Sequence, residues 1–365
     1  MRAAVFRGSS SPVTIEEVQL AAPGPGEVRV RIVAAGVCHS DLHVRQGDWQ
    51  LPAPLILGHE GSGVILETGA GVDDLAVGDH VVLSWVAPCG TCRPCTLGQP
   101  VRCLTAATIV APGGVLNDGT SRLTIDGQRA YHYLGVSSYA EEAVVPASGA
   151  IKVRADAPLE PLALVGCAVA TGVGAVRNSA AVPPGAHVVV VGCGGVGLSI
   201  VQGARLAGAE RIIAVDLRPE KTALAAKLGA TDEIDGSAGD VVESLKALLP
   251  DGADFAFDAI GGAATTRQCI DMIGVGGTVV VVGIPRAGTQ VTFEPQTLVD
   301  FDQRIVGSNY GGIDPHRDIP QLVDLYMSGD LFLDELISAR RPLDDAGQSL
   351  DDLAAGATLR QLLIP

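Results

Sequence analysis

Through the first 150 residues, apolar positions gather in short runs rich in Val and Ile: Val28–Val33, Gly63–Glu67, His80–Leu83 and Ala143–Val145. Gly and Pro separate them, which predicts a β-rich region of short antiparallel strands joined by turns. Near residue 160 the texture changes. From His187 to about Gly283, the runs His187–Val191, Arg211–Val215, Ala253–Asp258 and Thr278–Val282 alternate with Ala- and Leu-rich segments of helical character. Such alternation predicts βαβ units and a parallel sheet. After Tyr310-Gly311-Gly312, the stretch Pro320–Ser328 carries apolar residues at helical spacing. The chain shows no internal repeat and no low-complexity segment.

With 365 residues the chain has room for about two domains, and 47% apolar against 18% charged residues marks it as globular. Its 41 acidic and 25 basic side chains leave a net charge of −16. Nucleic-acid and anionic-membrane partners are therefore not expected, because both call for clustered cations. The longest uncharged stretch, Asn178–Ala204, holds Pro183-Pro184 and six Gly and reads as soluble turns, not a membrane span. The start, Met1 to Gly8, is too short and too charged for a secretion signal, so the cytoplasm is the expected compartment.

Gly192-Cys193-Gly194-Gly195-Val196-Gly197 matches G-x-G-x-x-G. The match alone is weak in a chain with 46 Gly, but its setting strengthens it. The run Val188–Val191 precedes it, a helical stretch Leu198–Ala207 follows, and the next strand ends on Asp216. This is the order of a dinucleotide-binding unit: Gly192 for the turn, Gly194 for close approach of the pyrophosphate, Gly197 for helix-on-strand packing. Asp216 would accept from the ribose hydroxyls and repel a 2′-phosphate, favouring NAD over NADP; Arg218 slightly weakens that exclusion.

Four of the eight Cys, Cys89, Cys92, Cys95 and Cys103, follow C-x2-C-x2-C-x7-C with Gly90, Pro94 and Gly98 allowing a tight loop. Four thiolates so spaced can close a tetrahedral zinc site with no open position, a structural metal. Disulfides fit poorly in a large chain without a secretion signal. A nucleic-acid zinc ribbon conflicts with a loop whose only cations are Arg93 and Arg102. Cys38, His59 and Cys167 are scattered, and spacing alone leaves them open as ordinary loop and core residues.

Taken together, the segments resemble the zinc-dependent medium-chain alcohol dehydrogenases. The carrying motifs are Cys38-His39-Ser40-Asp41-Leu42-His43, Gly58-His59-Glu60-Gly61, the four-Cys loop, Asp118-Gly119-Thr120-Ser121-Arg122, Leu164-Val165-Gly166-Cys167, the Gly192–Gly197 turn and Tyr310-Gly311-Gly312. The resemblance implies an α/β architecture: a GroES-like β-rich catalytic domain from residues 1–168 and 311–365, and a Rossmann doubly wound parallel-sheet cofactor domain from 169–310. It implies a catalytic zinc on Cys38, His59 and Cys167 with one position open for water or alcohol, Glu60 close behind the metal, and Asp41 orienting the ligand His59. Ser40 matches the hydroxyl that receives the substrate proton, and His43 the imidazole that ends the relay to solvent. His39 and Arg360 match contacts to the cofactor pyrophosphate; Lys221 and Ile284 complete the cofactor set. Zinc, two per chain, and NAD are the implied cofactors. Dimers or tetramers formed through the cofactor domain are implied, with a homodimer preferred.

The resemblance places Trp49, Trp85, Tyr133, Leu134 and Ile284 around the substrate. Such walls favour an apolar or aromatic alcohol, primary or else secondary, or the aldehyde, over a polyol. Glutathione-adduct formaldehyde dehydrogenases of this family carry acidic residues after the first zinc ligand and an Arg after the fourth structural Cys; the corresponding residues here are Trp49, Leu51 and Ala107. A mycothiol-adduct formaldehyde dehydrogenase stays open. So does a non-catalytic, zinc-stabilised NAD-binding scaffold, although no ligand or relay group is missing. A zinc-free quinone reductase is opposed by both Cys sets.

Overall fold

The computed structural model describes every residue except Ser10 and Ala357. It divides into two units, one of Met1–Cys167 with Asp314–Pro365, the other of Ala168–Ile313.

In the first unit the alternation of Val28, Val30 and Ile32 turns these side chains to one face, as period-2 strand geometry requires. Their strand, Glu27–Gly36, sits inside a seven-stranded sheet. Beyond it on one side lie Glu60–Thr68, His80–Leu83 and Ala150–Lys152; on the other, Arg360–Ile364 and Ile337–Pro342; Glu142–Pro146 also pairs with it. A second, six-stranded sheet runs in the order Thr14–Glu17, Arg2–Phe6, Leu55–Ile56, Gln128–His132, Leu123–Ile125, Gln19–Leu20. The pairing is not uniformly antiparallel. Leu55–Ile56 runs parallel to Gln128–His132, and Ile337–Pro342 parallel to Arg360–Ile364. Leu343, Leu350, Leu353 and Leu363 of the tail share one buried core with Val28, Val30, Leu57 and Leu83. Burial in that common core is what ties the tail to the N-terminal segment.

The second unit is a six-stranded parallel sheet. In space its strands run Asp232–Asp235, Arg211–Asp216, His187–Val191, Ala253–Asp258, Ile273–Val281, Arg304–Gly307, the doubly wound order with a switch beside the first strand. Four of these strands follow the Val/Ile runs. Asp232–Asp235 and Arg304–Gly307 were not expected; each lies at a sheet edge, half in solvent, and neither carries a buried-strand run. Tyr310-Gly311-Gly312 falls differently from the sequence expectation, which opened the second part of the catalytic domain at residue 311. Gly311 (φ 65°) packs so closely on the helix Ala168–Gly174 that a Cβ there would meet the Ala170 and Thr171 carbonyls at 2.5 and 2.7 Å. Lacking a side chain, it stays with the cofactor unit, and the border moves to Asp314. No single helix among the described residues is long and apolar enough to cross a membrane.

His132 closes the strand Gln128–His132 as a buried imidazole whose Nε2 accepts from the Arg122 amide at 3.2 Å. Burial, aided by the Arg122 charge, pushes its pKa down to about 3. The folded state therefore refuses a proton that the unfolded chain takes near pH 6.5. This stabilisation is complete above pH 6.5 and is lost progressively as pH falls toward 3, at a limiting slope of about 1.4 kcal/mol per pH unit. Urea unfolding at pH 7.5, 6 and 5 should show the wild type losing stability more steeply than His132→Gln, whose amide oxygen keeps the acceptor; equal slopes would refute this.

Candidate metal and cofactor sites

Strand register assembles the first cluster. Gly36 pairs with Glu60, so Cys38, two residues past the one strand, meets His59, which immediately precedes the other. Gly58 turns at φ 90°, and its amide donates to Asp41 Oδ1 at 2.9 Å. Cys167 follows the turn Ala163–Gly166, where a Cβ on Gly166 would come within 2.6 Å of the Leu83 carbonyl oxygen. Only a glycine lets that turn reach the sheet. The donor atoms of Cys38, His59, Glu60 and Cys167 all lie within 4.8 Å of one another and all four residues are buried.

The donor set fits zinc. His59 Nδ1 lies 3.3 Å from Asp41 Oδ2, and its Nε2 is buried without a hydrogen-bond partner among the described residues. A carboxylate behind a ligand imidazole is the usual outer contact of a zinc-bound His. Cys38 is held well below the usual thiol range, first by the hydrogen bond from Cys167 and then by the charges of His59 and Arg360, against the effect of burial; Cys167 is correspondingly raised. Two soft sulfurs and one imidazole would suit zinc, with Glu60 a fourth donor in the same cluster.

Glu60 is pushed up to about 7 by burial, with the Arg360 charge opposing. Arg360 was expected at the cofactor pyrophosphate. Here it is buried, and its guanidinium forms a tight pair with Glu60 Oε2 beside the cluster. A buried guanidinium needs such a carboxylate to offset its desolvation.

On the helix His39–Gln46, His39 is exposed, Ser40 half-buried and Asp41 buried. The Ser40 carbonyl accepts from the Tyr133 hydroxyl at 3.0 Å, and the Tyr133 ring stands edge-on to His59 with centroids 5.4 Å apart. Tyr133, expected as a pocket wall, is thus a buried brace, 1% exposed, between the helix and the ligand His59. Trp49, Leu51, Trp85 and Leu134 are partly buried and pack on the core of this unit. Ile284 is exposed and belongs to the other unit. His43 Nδ1 lies 2.9 Å from Asp48 Oδ2, and its ring stacks on Trp49 at 5.1 Å and 29°. Asp48 was missed from sequence, although the Gly47-Asp48 pair directly after the helix was the available turn signal.

The four-Cys loop closes as its spacing suggests. Its sulfurs lie within 4.8 Å of one another. The Cys89 amide donates to Cys103 Sγ (3.3 Å), the Cys92 amide to Cys89 Sγ and the Leu104 amide to Cys92 Sγ (both 3.4 Å). Amides converging on sulfur stabilise thiolates. Cys89 is pushed down to about 5, chiefly by its hydrogen bond with Thr105, while burial and Cys92 push Cys95 up to about 12. A divalent ion would displace the remaining protons.

In the second unit the three glycines divide their work visibly. Gly192 turns at φ 95°, and a Cβ would strike Ile260 Cγ1 at 2.5 Å. Around Gly194 there is open space, while a Cβ on Gly197 would collide with the Gly192 carbonyl. The helix Gly195–Leu206 begins here, with half-buried Gly195 and Val196 in its first turn, where amides have no intrahelical partner and suit a phosphate. Asp216 ends its strand and accepts from the Cys193 amide (2.8 Å) and the Arg218 amide (3.1 Å), fixed beside the turn. Lys221 is half-buried on the helix Pro219–Leu228.

Two family models match: the alcohol dehydrogenase GroES-like domain over residues 24–155 and the zinc-binding dehydrogenase domain over 195–328. The chain is 38% identical over 362 residues to a probable S-(hydroxymethyl)glutathione dehydrogenase 1 of Schizosaccharomyces pombe, covering 98% of this chain and 95% of that protein. It superposes with a TM-score of 0.95 on an alcohol dehydrogenase zinc-binding domain protein from Burkholderia ambifaria (40% identity, 100% and 98% covered). The TM-score is 0.94 with benzyl alcohol dehydrogenase from Acinetobacter calcoaceticus (35% identity, 100% and 98% covered). With both metal clusters and the glycine turn in place, the chain belongs to the zinc-dependent medium-chain alcohol dehydrogenases, NAD(P)-linked oxidoreductases of α/β fold.

Proposed function

We propose that this enzyme oxidises a primary alcohol with an apolar or aromatic substituent, reversibly, with NAD as the hydride acceptor. When bound, zinc supplies a Lewis acid that lowers the pKa of the alcohol, and NAD takes the hydride. The chain supplies the rest. Cys38, His59 and Cys167 would hold the metal, Asp41 orients His59, and Ser40 with His43 would carry the hydroxyl proton away. Asp216 would hold the adenosine ribose.

What supports the substrate class is the apolar character of Trp49, Trp85 and Leu134, expected around the substrate and partly buried against the core of the first unit. No Lys or Arg occurs between Cys103 and Arg122, and Arg122 is itself engaged by Glu27 (2.8 Å) and Asp118 (2.7 Å). An apolar wall gains from burying an alkyl or aryl group and cannot satisfy extra charges. The names of the curated relatives favour a second reading, the adduct of formaldehyde and glutathione, whose peptide carboxylates would need cations.

A kinetic panel decides between them: benzyl and straight-chain alcohols with NAD or NADP, against formaldehyde with and without glutathione or mycothiol. The first reading expects kcat/KM for benzyl alcohol at least about tenfold above the adducts. Formaldehyde oxidation that depends on glutathione would overturn it. In the same panel Asp216→Ala should raise the NADP/NAD preference about tenfold or more; an unchanged ratio refutes the ribose assignment. Metal analysis should find two zinc ions in the wild type, matching the two clusters. Cys38→Ser should retain only the one in the four-Cys loop and lose nearly all turnover; wild-type activity in that variant would sink the assignment.

A further inference from the structure

We propose that Asp48 is a positioning residue of the proton exit, fixing His43 as the Nδ1–H tautomer so that Nε2 is free to accept the proton leaving the alcohol. The inference rests on the dehydrogenase reading above and extends it to a residue outside every motif that marked the family.

The geometry is built from the end of one helix. Gly47, in the left-handed conformation (φ 78°), ends His39–Gln46, and the chain folds back on His43. The Asp48 amide donates to the His43 carbonyl at 2.9 Å and the Trp49 amide to the same oxygen at 3.4 Å. This return brings the Asp48 carboxylate to Nδ1 at 2.9 Å and lays Trp49 on the imidazole. An ionised carboxylate only accepts, so Nδ1 must carry the hydrogen and Nε2 the lone pair. The stacked indole opposes a ring flip that would put Cδ2 in place of Nδ1 against the carboxylate. His43 keeps 24% of its side-chain surface exposed and Asp48 13%, so the pair meets solvent without being diluted by it.

The other charges of this helix are engaged elsewhere. Asp41 faces His59 and the Gly58 amide; Arg45 pairs with Asp351 of the helix Ala346–Ala354, the element packed against it, at 2.6 Å. On the same helix His39 is exposed, and in the packed helix Asp352 is bonded to Arg341 and Gln348. In the oxidation NAD would supply the hydride acceptor, and His43 Nε2 would take the hydroxyl proton. The Asp48 carboxylate lies against the imidazolium that forms, and the proton then passes to water.

The test compares zinc-loaded wild type, Asp48→Asn, Asp48→Glu, Asp48→Ala, His43→Gln and the double variant His43→Gln/Asp48→Asn, using the best alcohol of the panel. Asp48→Asn should lower kcat for oxidation about tenfold near pH 6.5 with KM changed less than about twofold. The deficit should shrink above about pH 9, where hydroxide takes the proton directly. Asp48→Glu should recover part of the rate, and the double variant should be no slower than His43→Gln alone. A loss equal at every pH, or one adding fully to that of His43→Gln, overturns the proposal. Nitrogen-15 spectra of labelled histidine provide a readout without turnover. The signal absent from His43→Gln should report Nδ1–H in the wild type and shift toward Nε2–H in Asp48→Ala; an unchanged tautomer also overturns it. If no alcohol is turned over, the dehydrogenase reading fails while the spectra still judge Asp48.

Discussion

The pairing of one strand, Glu27–Gly36, with its two neighbours is the constraint on which the active centre depends. Antiparallel register with Glu60–Thr68 sets Gly36 opposite Glu60, and register with Arg360–Ile364 sets Gly36 opposite Leu362. Because side chains alternate faces, a slip of one residue would turn Glu60 and Arg360 away from Cys38. The buried alternation of Val28, Val30 and Ile32 resists that slip with most of the hydrophobic core of the unit. Metal ligands and their charged neighbours thus inherit positions set by apolar packing some distance away.

Charge balance explains why so many ionisable groups can be buried together. Two thiolates would offset a divalent ion, Glu60 offsets Arg360, and Asp41 sits against His59. Unpaired, each of these groups would cost several kcal/mol to desolvate. The four-Cys loop follows another logic. Its sulfurs are only half-buried, except Cys103, and are supported by backbone amides instead of opposite side-chain charges. Such a loop suits a metal that shapes the chain, while the buried cluster is the one proposed to serve reaction.

Much of this was legible in the sequence, for identifiable reasons. The four-Cys loop and the Gly192–Gly197 turn are local, so their spacing carries their geometry. Cys38, His59 and Cys167 were not legible by spacing, because strand register and a glycine contact bring them together; only likeness to a family joined them. The edge strands Asp232–Asp235 and Arg304–Gly307 escaped notice because half-solvated strands need no apolar run. Arg360 is expected at the cofactor pyrophosphate and Tyr133 beside the substrate; their burial against Glu60 and His59 was not legible, because burial is not a property of residue type. Asp48 went unseen because its meaning lies in a turn that doubles back on His43.

The same strand arrangement has a consequence for how the molecule is made. Glu60 and Arg360 stand 300 residues apart in the chain yet meet beside the metal ligands. The cofactor unit, Ala168–Ile313, is a continuous stretch and can fold as soon as it is synthesised. The sheet of the first unit cannot; the edge of Glu27–Gly36 at Ala35 and Gly36 stays unpaired until Arg360–Ile364 arrives. A half-built sheet with an unpaired edge is the species exposed to wrong partners. Synthesis order therefore brings Arg360 to the cluster only after the cofactor unit, whereas Cys38, His59 and Cys167 all precede that unit.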